Sequence, residues 1–176
     1  MIYVSHSVLV NEGERDEPKL SRDAVWDGLV LKANNALPYV PSMTYCEVTN
    51  RLTETCFDRE IEFRGQRFSE RITLDAPHRV VFTRMAGPVL GTIANEIEND
   101  NGNLRLRFSF ALSLIGVAPG TAAERAYADS MKDDYLKAVE ATLAAMRRMA
   151  SGDQAGSAAT TKASTTQARA DSAIQQ

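Results

Sequence analysis

Residues 57–74 read FDREIEFRGQRFSERITL, two runs of alternating side chains around a central Arg-Gly pair. Successive side chains of a β-strand point to opposite faces, so every second residue shares a face. One such face carries Phe57, Arg59, Ile61 and Phe63, and its counterpart in the second run carries Phe68, Glu70, Ile72 and Leu74. Arg59 and Glu70 therefore stand where apolar residues are expected. Buried charges are costly unless they are paired, so each needs a structural partner or a ligand.

The same period of two extends from Ser42 to about Val117. Turn signals interrupt it near residues 50–55 and at residues 64–65, 76–78, 86–88 and 100–102, which predicts a meander of six antiparallel strands. Asn95 is a third polar exception, because its same-face neighbours are Val89, Gly91, Ile93 and Ile97.

Helical patterns flank the meander. An alternating strand over residues 2–10 and a polar loop over residues 11–19 lead to a helix that Ser21 caps and that ends near residues 34–35. After the meander, Thr121 and Glu124 form a T-x-x-E capping box, and helical composition continues to about Met149. The apolar stripe of this long helix is Met131, Tyr135, Val139, Leu143 and Met146.

Composition limits the class of protein. The 176 residues suit one domain, predicted over residues 1–150, and the Ser/Thr/Ala/Gln-rich residues 151–176 are predicted to be a disordered tail. A net charge of -3 and a pI near 5.5 argue against nucleic acid as a partner, and no basic amphipathic segment suggests a membrane surface. With no signal sequence or membrane span, the predicted location is cytoplasmic, where Cys46 and Cys56 are expected to be free thiols. The oligomeric state stays open.

The order of elements resembles the helix-grip fold of the START-like (SRPBCC) superfamily, which includes lipid carriers, plant hormone receptors and polyketide cyclases. Closer similarity, to the AtaL-like family of a fungal acetylaranotin biosynthetic cluster, lies in LSRDAVWDGL (residues 20–29), LPYVP (37–41), Arg59-Glu60, Glu70-Arg71 and Asn95-Glu96-Ile97. The resemblance spans about residues 2–149. It implies an α+β fold in which a bent seven-stranded antiparallel sheet wraps around a long C-terminal helix, with a cavity between them.

Hairpin register links the first two polar exceptions. If Arg64-Gly65 is a two-residue turn, Arg59 and Glu70 are cross-strand neighbours, although a bulge would shift this pairing. On one interpretation they form a salt bridge that fixes the register. On the other they are catalytic, with Arg59 anchoring a carboxylate or enolate oxygen and Glu70 transferring a proton.

Further residues are candidates for ligand binding. Asn95 either orients a ligand carbonyl or satisfies a backbone group, and the facing of Arg84 is undecided because both faces of its strand are apolar. Trp26 and Tyr135 each line the cavity of a helix-grip fold or pack in its core. The predicted ligand-binding set is Asn95, Arg84, Trp26, Tyr135, Phe82, Phe108 and Met131.

No cofactor or metal is predicted. His6 and His78 are far apart and lack metal-ligand spacing, and the sequence has no G-x-S-x-G, P-loop or dinucleotide motif. The favoured hypothesis is a cofactor-independent cyclase, isomerase or dehydratase acting on a small hydrophobic polyketide-like or peptide-derived molecule. The alternatives are a non-catalytic carrier or sensor of such a molecule and an interaction domain whose core is filled.

Overall fold

The computed structural model describes residues 1–12 and 18–152, the side chain of Asp133 excepted. Its elements in chain order are β1 Ile2–Leu9, α1 Arg22–Asn34, β2 Met43–Arg51, β3 Cys56–Phe63, β4 Gln66–Asp75, β5 Arg79–Ala86, β6 Val89–Asp100, β7 Asn103–Leu114 and α2 Ala122–Ala150. The predicted tail beyond residue 152 and the middle of the predicted loop, residues 13–17, lie outside the described residues.

The seven strands form one antiparallel sheet in the order β1-β7-β6-β5-β4-β3-β2. The structure confirms the six-strand meander and the strand predicted over residues 2–10, which is β1 and lies at the edge beside β7, where Ile2 pairs with Leu112. The sheet curves around α2, which confirms the α+β helix-grip fold. Its inner face carries the core, and Phe57, Ile72, Val80 and Leu106 are completely buried there.

One glycine marks the bend of the sheet. Gly91 in β6 has a φ of +130°, and a Cβ atom there would lie 2.1 Å from the carbonyl oxygen of Ala111 in β7. Only glycine combines this backbone conformation with so close an approach of the neighbouring strand. Gly91 also pairs with Arg84, so the bend lies beside one of the candidate residues.

The predicted helix caps form. The Ser21 side chain accepts a hydrogen bond from the Ala24 N–H at 3.1 Å, and that of Thr121 accepts one from the Glu124 N–H at 3.3 Å. The second half of the capping box differs from the usual pattern. Glu124 accepts from the Gly120 N–H at 2.7 Å and from the N-terminal amine of Met1 at 2.6 Å, whereas the usual capping box has this carboxylate accept from the N–H of the N-cap residue itself.

Candidate functional site

A cavity of about 110 Å³, partly open to solvent, lies between the inner face of the sheet and α2, beside the C-terminal end of α1. Most of its walls are apolar. The apolar residues lining it are Ala36, Val40, Met43, Ile61, Phe63, Phe82, Ile93, Phe108, Phe110, Met131, Ala138 and Val139. The charged and polar ones are Lys32, Arg59, Glu70, Arg84, Asn95, Asp134 and Tyr135. The core of this domain is therefore not completely filled by its own side chains.

Arg59 and Glu70 face each other across β3 and β4, and the register matches the one predicted from the Arg64-Gly65 turn. Arg64 adopts a φ of +52°, so the turn closes without a bulge. Arg59 Nε and Nη2 donate to Glu70 Oε2 at 3.0 and 2.8 Å. The Nη1 of Arg59 donates to the carbonyls of Lys32 and Ala33 at 3.0 and 2.8 Å, which ties the end of α1 to the sheet.

Arg84 also points into the cavity, which settles the facing that the sequence left open. It pairs with Glu70 across β4 and β5, and its Nε donates to Glu70 Oε1 at 3.4 Å. Its guanidinium lies 4.2 Å from the centre of the Phe68 ring. Within the described part of the chain, the buried Nη1 of Arg84 has no hydrogen-bond partner.

The site holds an excess of buried positive charge. The two guanidiniums of Arg59 and Arg84 share a single carboxylate, that of Glu70, and all three side chains are at least nine-tenths buried. Charge buried in a medium of low dielectric constant is stabilised by an opposite charge. The arrangement therefore favours a ligand that brings a carboxylate, an enolate or a strongly accepting oxygen.

Sequence reasoning missed Lys32, on the inner face of α1. Its Nζ donates to Asn95 Oδ1 at 3.1 Å and lies 5.2 Å from the centre of the Phe108 ring. Burial, reinforced by the Arg59 charge and opposed by Glu70, lowers the pKa of Lys32 to about 7. The available signal was its spacing, because Lys32 lies three residues after Leu29 and seven after Val25, both buried on one helical face.

Asn95 is buried, and its side-chain oxygen accepts from Lys32 rather than from a backbone group. The sequence allowed Asn95 to hydrogen-bond either a ligand carbonyl or a backbone group, and the hydrogen bond to a backbone group is not observed among the described residues. Asn95 fixes the position of the Lys32 amine at the wall of the cavity.

Tyr135 of α2 lines the cavity between two aromatic residues of β7. Its ring meets those of Phe108 and Phe110 edge to face, with centroids 5.7 and 4.3 Å away. Burial raises the pKa of the Tyr135 hydroxyl. Among the described residues this buried hydroxyl has no hydrogen-bond partner. Phe82, Phe108 and Met131, the other predicted ligand-binding residues, also line the cavity.

Trp26 is the one predicted ligand-binding residue that lies away from the cavity. It is partly buried against the core and is not among the lining residues. Trp26 precedes Lys32 by six residues, which places it about 9 Å back along the helix at 1.5 Å per residue. The structure thus matches the core-packing interpretation of this side chain.

An ion pair lies beside the cavity. Asp134 of α2 lines the cavity, and Arg64 at the tip of the β3–β4 turn is paired with it. Both side chains are partly exposed, and the pair connects the hairpin to the helix beside the cavity. Elsewhere in the described ranges, no group of three His, Cys, Asp or Glu side chains is placed to hold a metal ion, and no helix is long and apolar enough to span a membrane.

The curved sheet and the helix that it encloses form a helix-grip fold. The chain belongs to the AtaL family, described as acetylaranotin biosynthesis cluster protein L, whose sequence profile matches residues 4–153. A search of curated proteins gave no significant match.

Solved structures share the fold at low sequence identity. The 18 kDa protein CC1736 of Caulobacter crescentus is 15% identical with a TM-score of 0.61, and the alignment covers 86% of this chain and 99% of that one. A START superfamily protein of Mycobacterium smegmatis is 15% identical with a TM-score of 0.56, covering 80% and 96%. The di-domain ARO/CYC protein BexL of the BE-7585A biosynthetic pathway is 14% identical with a TM-score of 0.56, covering 83% of this chain and 48% of that one.

Proposed function

We propose that this domain binds a small, largely apolar molecule with an accepting oxygen, and that it is a cofactor-independent cyclase, isomerase or dehydratase of specialised metabolism. The observation that carries the proposal is a pair of buried donors that have no hydrogen-bond partner among the described residues, Arg84 Nη1 and the Tyr135 hydroxyl, on two side chains that line an apolar cavity. An unsatisfied buried polar group costs about 1–3 kcal/mol. A ligand oxygen that accepts from these groups would recover that cost on binding.

The size of the cavity limits what enters it. An apolar cavity of about 150 Å³ holds benzene, and pockets for drug-sized ligands start at about 300 Å³. The 110 Å³ seen here suits roughly one ring. A polyketide-like or peptide-derived substrate would therefore insert one ring-sized end, and the remainder would extend past the Arg64–Asp134 pair.

The hydrogen bonds suggest a division of roles. Arg59 uses four of its five N–H groups on Glu70 and on the end of α1. We therefore assign the anchoring of the ligand oxygen to Arg84 with Tyr135, and we give Arg59 the task of holding Glu70. Glu70 remains the proposed general acid and base, because three guanidinium contacts leave its carboxylate one free lone-pair site of about four.

A carrier or sensor is the second candidate function. The observation that favours it is the engagement of both Glu70 oxygens by arginine, which leaves the carboxylate less free to exchange protons. The same cavity and the same donors would then retain a ligand without changing it.

Mass spectrometry of the small molecules extracted from purified protein would identify the ligand, and turnover of that ligand distinguishes the two functions. The enzyme proposal expects Glu70→Gln to bind the molecule but to lose most turnover, whereas Glu60→Gln, an exposed neighbour on β3, keeps both. Full turnover by Glu70→Gln would exclude Glu70 as acid and base. Recovery of the ligand unchanged from the wild type would favour the carrier.

A further inference from the structure

Lys32 is a buried amine that no carboxylate neutralises. In the part of the chain that the structure describes, its Nζ forms no salt bridge, and its polar contact is the amide oxygen of Asn95 at 3.1 Å. The Phe108 ring covers one side of the amine at 5.2 Å. Lys32, Asn95 and Phe108 all line the cavity, so the amine lies beside the space that a ligand would occupy.

The charged groups around this amine do not compensate it. Arg59 reaches the end of α1 through the carbonyl of Lys32 itself and repels a proton on Nζ. Glu70 attracts such a proton, but its two oxygens are held by Arg59 and Arg84. Tyr135 and Asp134 are the other titratable groups of the cavity, and Asp134 is paired with Arg64. The surroundings therefore favour the neutral amine.

We propose that Lys32 is a catalytic nucleophile that forms an imine with the carbonyl carbon of an aldehyde or ketone held in the cavity. This inference rests on the proposed function, because it needs a ligand in the same cavity. It narrows the substrate class to carbonyl compounds.

The step balances without a cofactor. The Nζ lone pair forms a bond to the carbonyl carbon, the C=O π electrons move to oxygen, and a proton passes from nitrogen to that oxygen to give a carbinolamine. Loss of the hydroxyl group with the second amine proton releases one water and leaves the C=N bond. Protonation of the imine then makes the adjacent C–H acidic, which is the activation that cyclisation, isomerisation and dehydration of carbonyl compounds require.

The amine has the reactivity that this step needs. A lysine is nucleophilic only when neutral, and desolvation in an apolar pocket is a recognised way to activate it. With a pKa of about 7, half of Lys32 is neutral at pH 7. An exposed lysine has a pKa near 10.4, so its neutral fraction at that pH is on the order of 10³ times smaller.

Reductive trapping in the wild-type protein tests the proposal. Benzaldehyde, a single ring that carries an aldehyde, is added with cyanoborohydride at about pH 7, and the modified lysines are identified by peptide mass mapping. Lys32 is expected to be labelled at least about 100-fold faster than exposed lysines, with a half-maximal rate near pH 7. Lys19, Lys132 and Lys137 are exposed and serve as internal controls.

A thermal-shift titration with benzaldehyde, without reductant, distinguishes ligand binding in the cavity from imine formation by Lys32. A raised melting temperature with no labelling of Lys32 would overturn the imine and leave ligand binding intact. Labelling of Lys32 at the rate of the exposed lysines would also overturn it. If neither benzaldehyde nor benzoate raises the melting temperature and Lys32 is not labelled, the proposed function fails together with the inference.

Discussion

Replacing Lys32 by methionine tests the electrostatics of the site through protein stability. The pKa of Lys32 is lowered from 10.5 to about 7 in the folded protein, because burial disfavours the ammonium form. Between these two values the unfolded chain binds more protons than the folded one, so the Lys32 contribution to stability rises with pH across this window. Below about pH 7 the folded protein bears nearly the full cost of a buried ammonium group.

The size of the effect follows from the two pKa values. The cost of Lys32 is about 5 kcal/mol at pH 6 and about 2 kcal/mol at pH 9. Methionine has a similar length and no charge, so Lys32→Met removes this cost. The variant also loses the hydrogen bond to Asn95, which lowers its free energy of unfolding by about 1 kcal/mol at every pH. The gain in stability should therefore be larger at pH 6 than at pH 9 by roughly 3 kcal/mol.

Urea unfolding at several pH values, followed by the fluorescence of Trp26, the single tryptophan, gives the measurement. The informative quantity is the difference between the variant and the wild type, because the other titrating groups cancel in it. Lys132→Met, the same substitution at an exposed position of α2, is the control and should show no such dependence. If the difference in unfolding free energy between Lys32→Met and the wild type stays constant from pH 6 to pH 9, the claim that Lys32 is a buried, uncompensated amine is wrong.

Three further substitutions probe the cavity and its surroundings. Tyr135→Phe removes a buried hydroxyl that has no partner among the described residues. It should raise the unfolding free energy of the ligand-free protein by about 1 kcal/mol and weaken benzoate binding about tenfold. A loss of stability would show that the hydroxyl already has a hydrogen-bond partner. Gly28→Ala places a Cβ atom 2.6 Å from Met146 Cγ, so it should lower the unfolding free energy, measured in urea, by about 1–3 kcal/mol. Unchanged stability would contradict a tight contact between α1 and α2. Arg64→Ala breaks the ion pair with Asp134 and should speed benzoate association and dissociation alike in stopped-flow measurements. The unfolding free energy should change by less than about 1 kcal/mol. Unaltered rates would contradict a role for this ion pair in ligand entry.

The polar residues of the sheet were accessible to sequence reasoning because a strand has a period of two. Arg59, Glu70 and Asn95 each interrupt an apolar face, and the turn length fixes which residue lies opposite which. The same counting extends to Arg84, since a three-residue turn at residues 76–78 pairs Asp75 with Arg79 and hence Glu70 with Arg84. Composition alone leaves the facing of Arg84 undecided, because both faces of β5 are apolar.

Lys32 was not predicted as a site residue from the sequence, for a physical reason. The spacing places Lys32 on the buried face of α1, but a lysine there usually extends its long side chain to solvent, so the spacing alone does not establish that the amine is buried. Here the end of α1 is tied to the sheet by Arg59, and the amine is enclosed by Asn95 and Phe108. These contacts are long-range and cannot be derived from the pattern of one helix. The same holds for β1, whose pairing with β7 depends on closure of the whole sheet.

The measurement that tests the central claim most directly is a calorimetric comparison of benzoate and toluene, two ligands of similar shape that differ in their oxygens. We expect benzoate to bind the wild type more tightly, and Arg84→Met to weaken it by about 1.5–3 kcal/mol while toluene affinity is unchanged. Arg79→Met, an exposed position on the same strand, should leave both affinities as they are. Equal affinities of the wild type for the two ligands, or benzoate affinity that survives Arg84→Met, would contradict the claim that a ligand oxygen accepts from the donors that lack partners among the described residues.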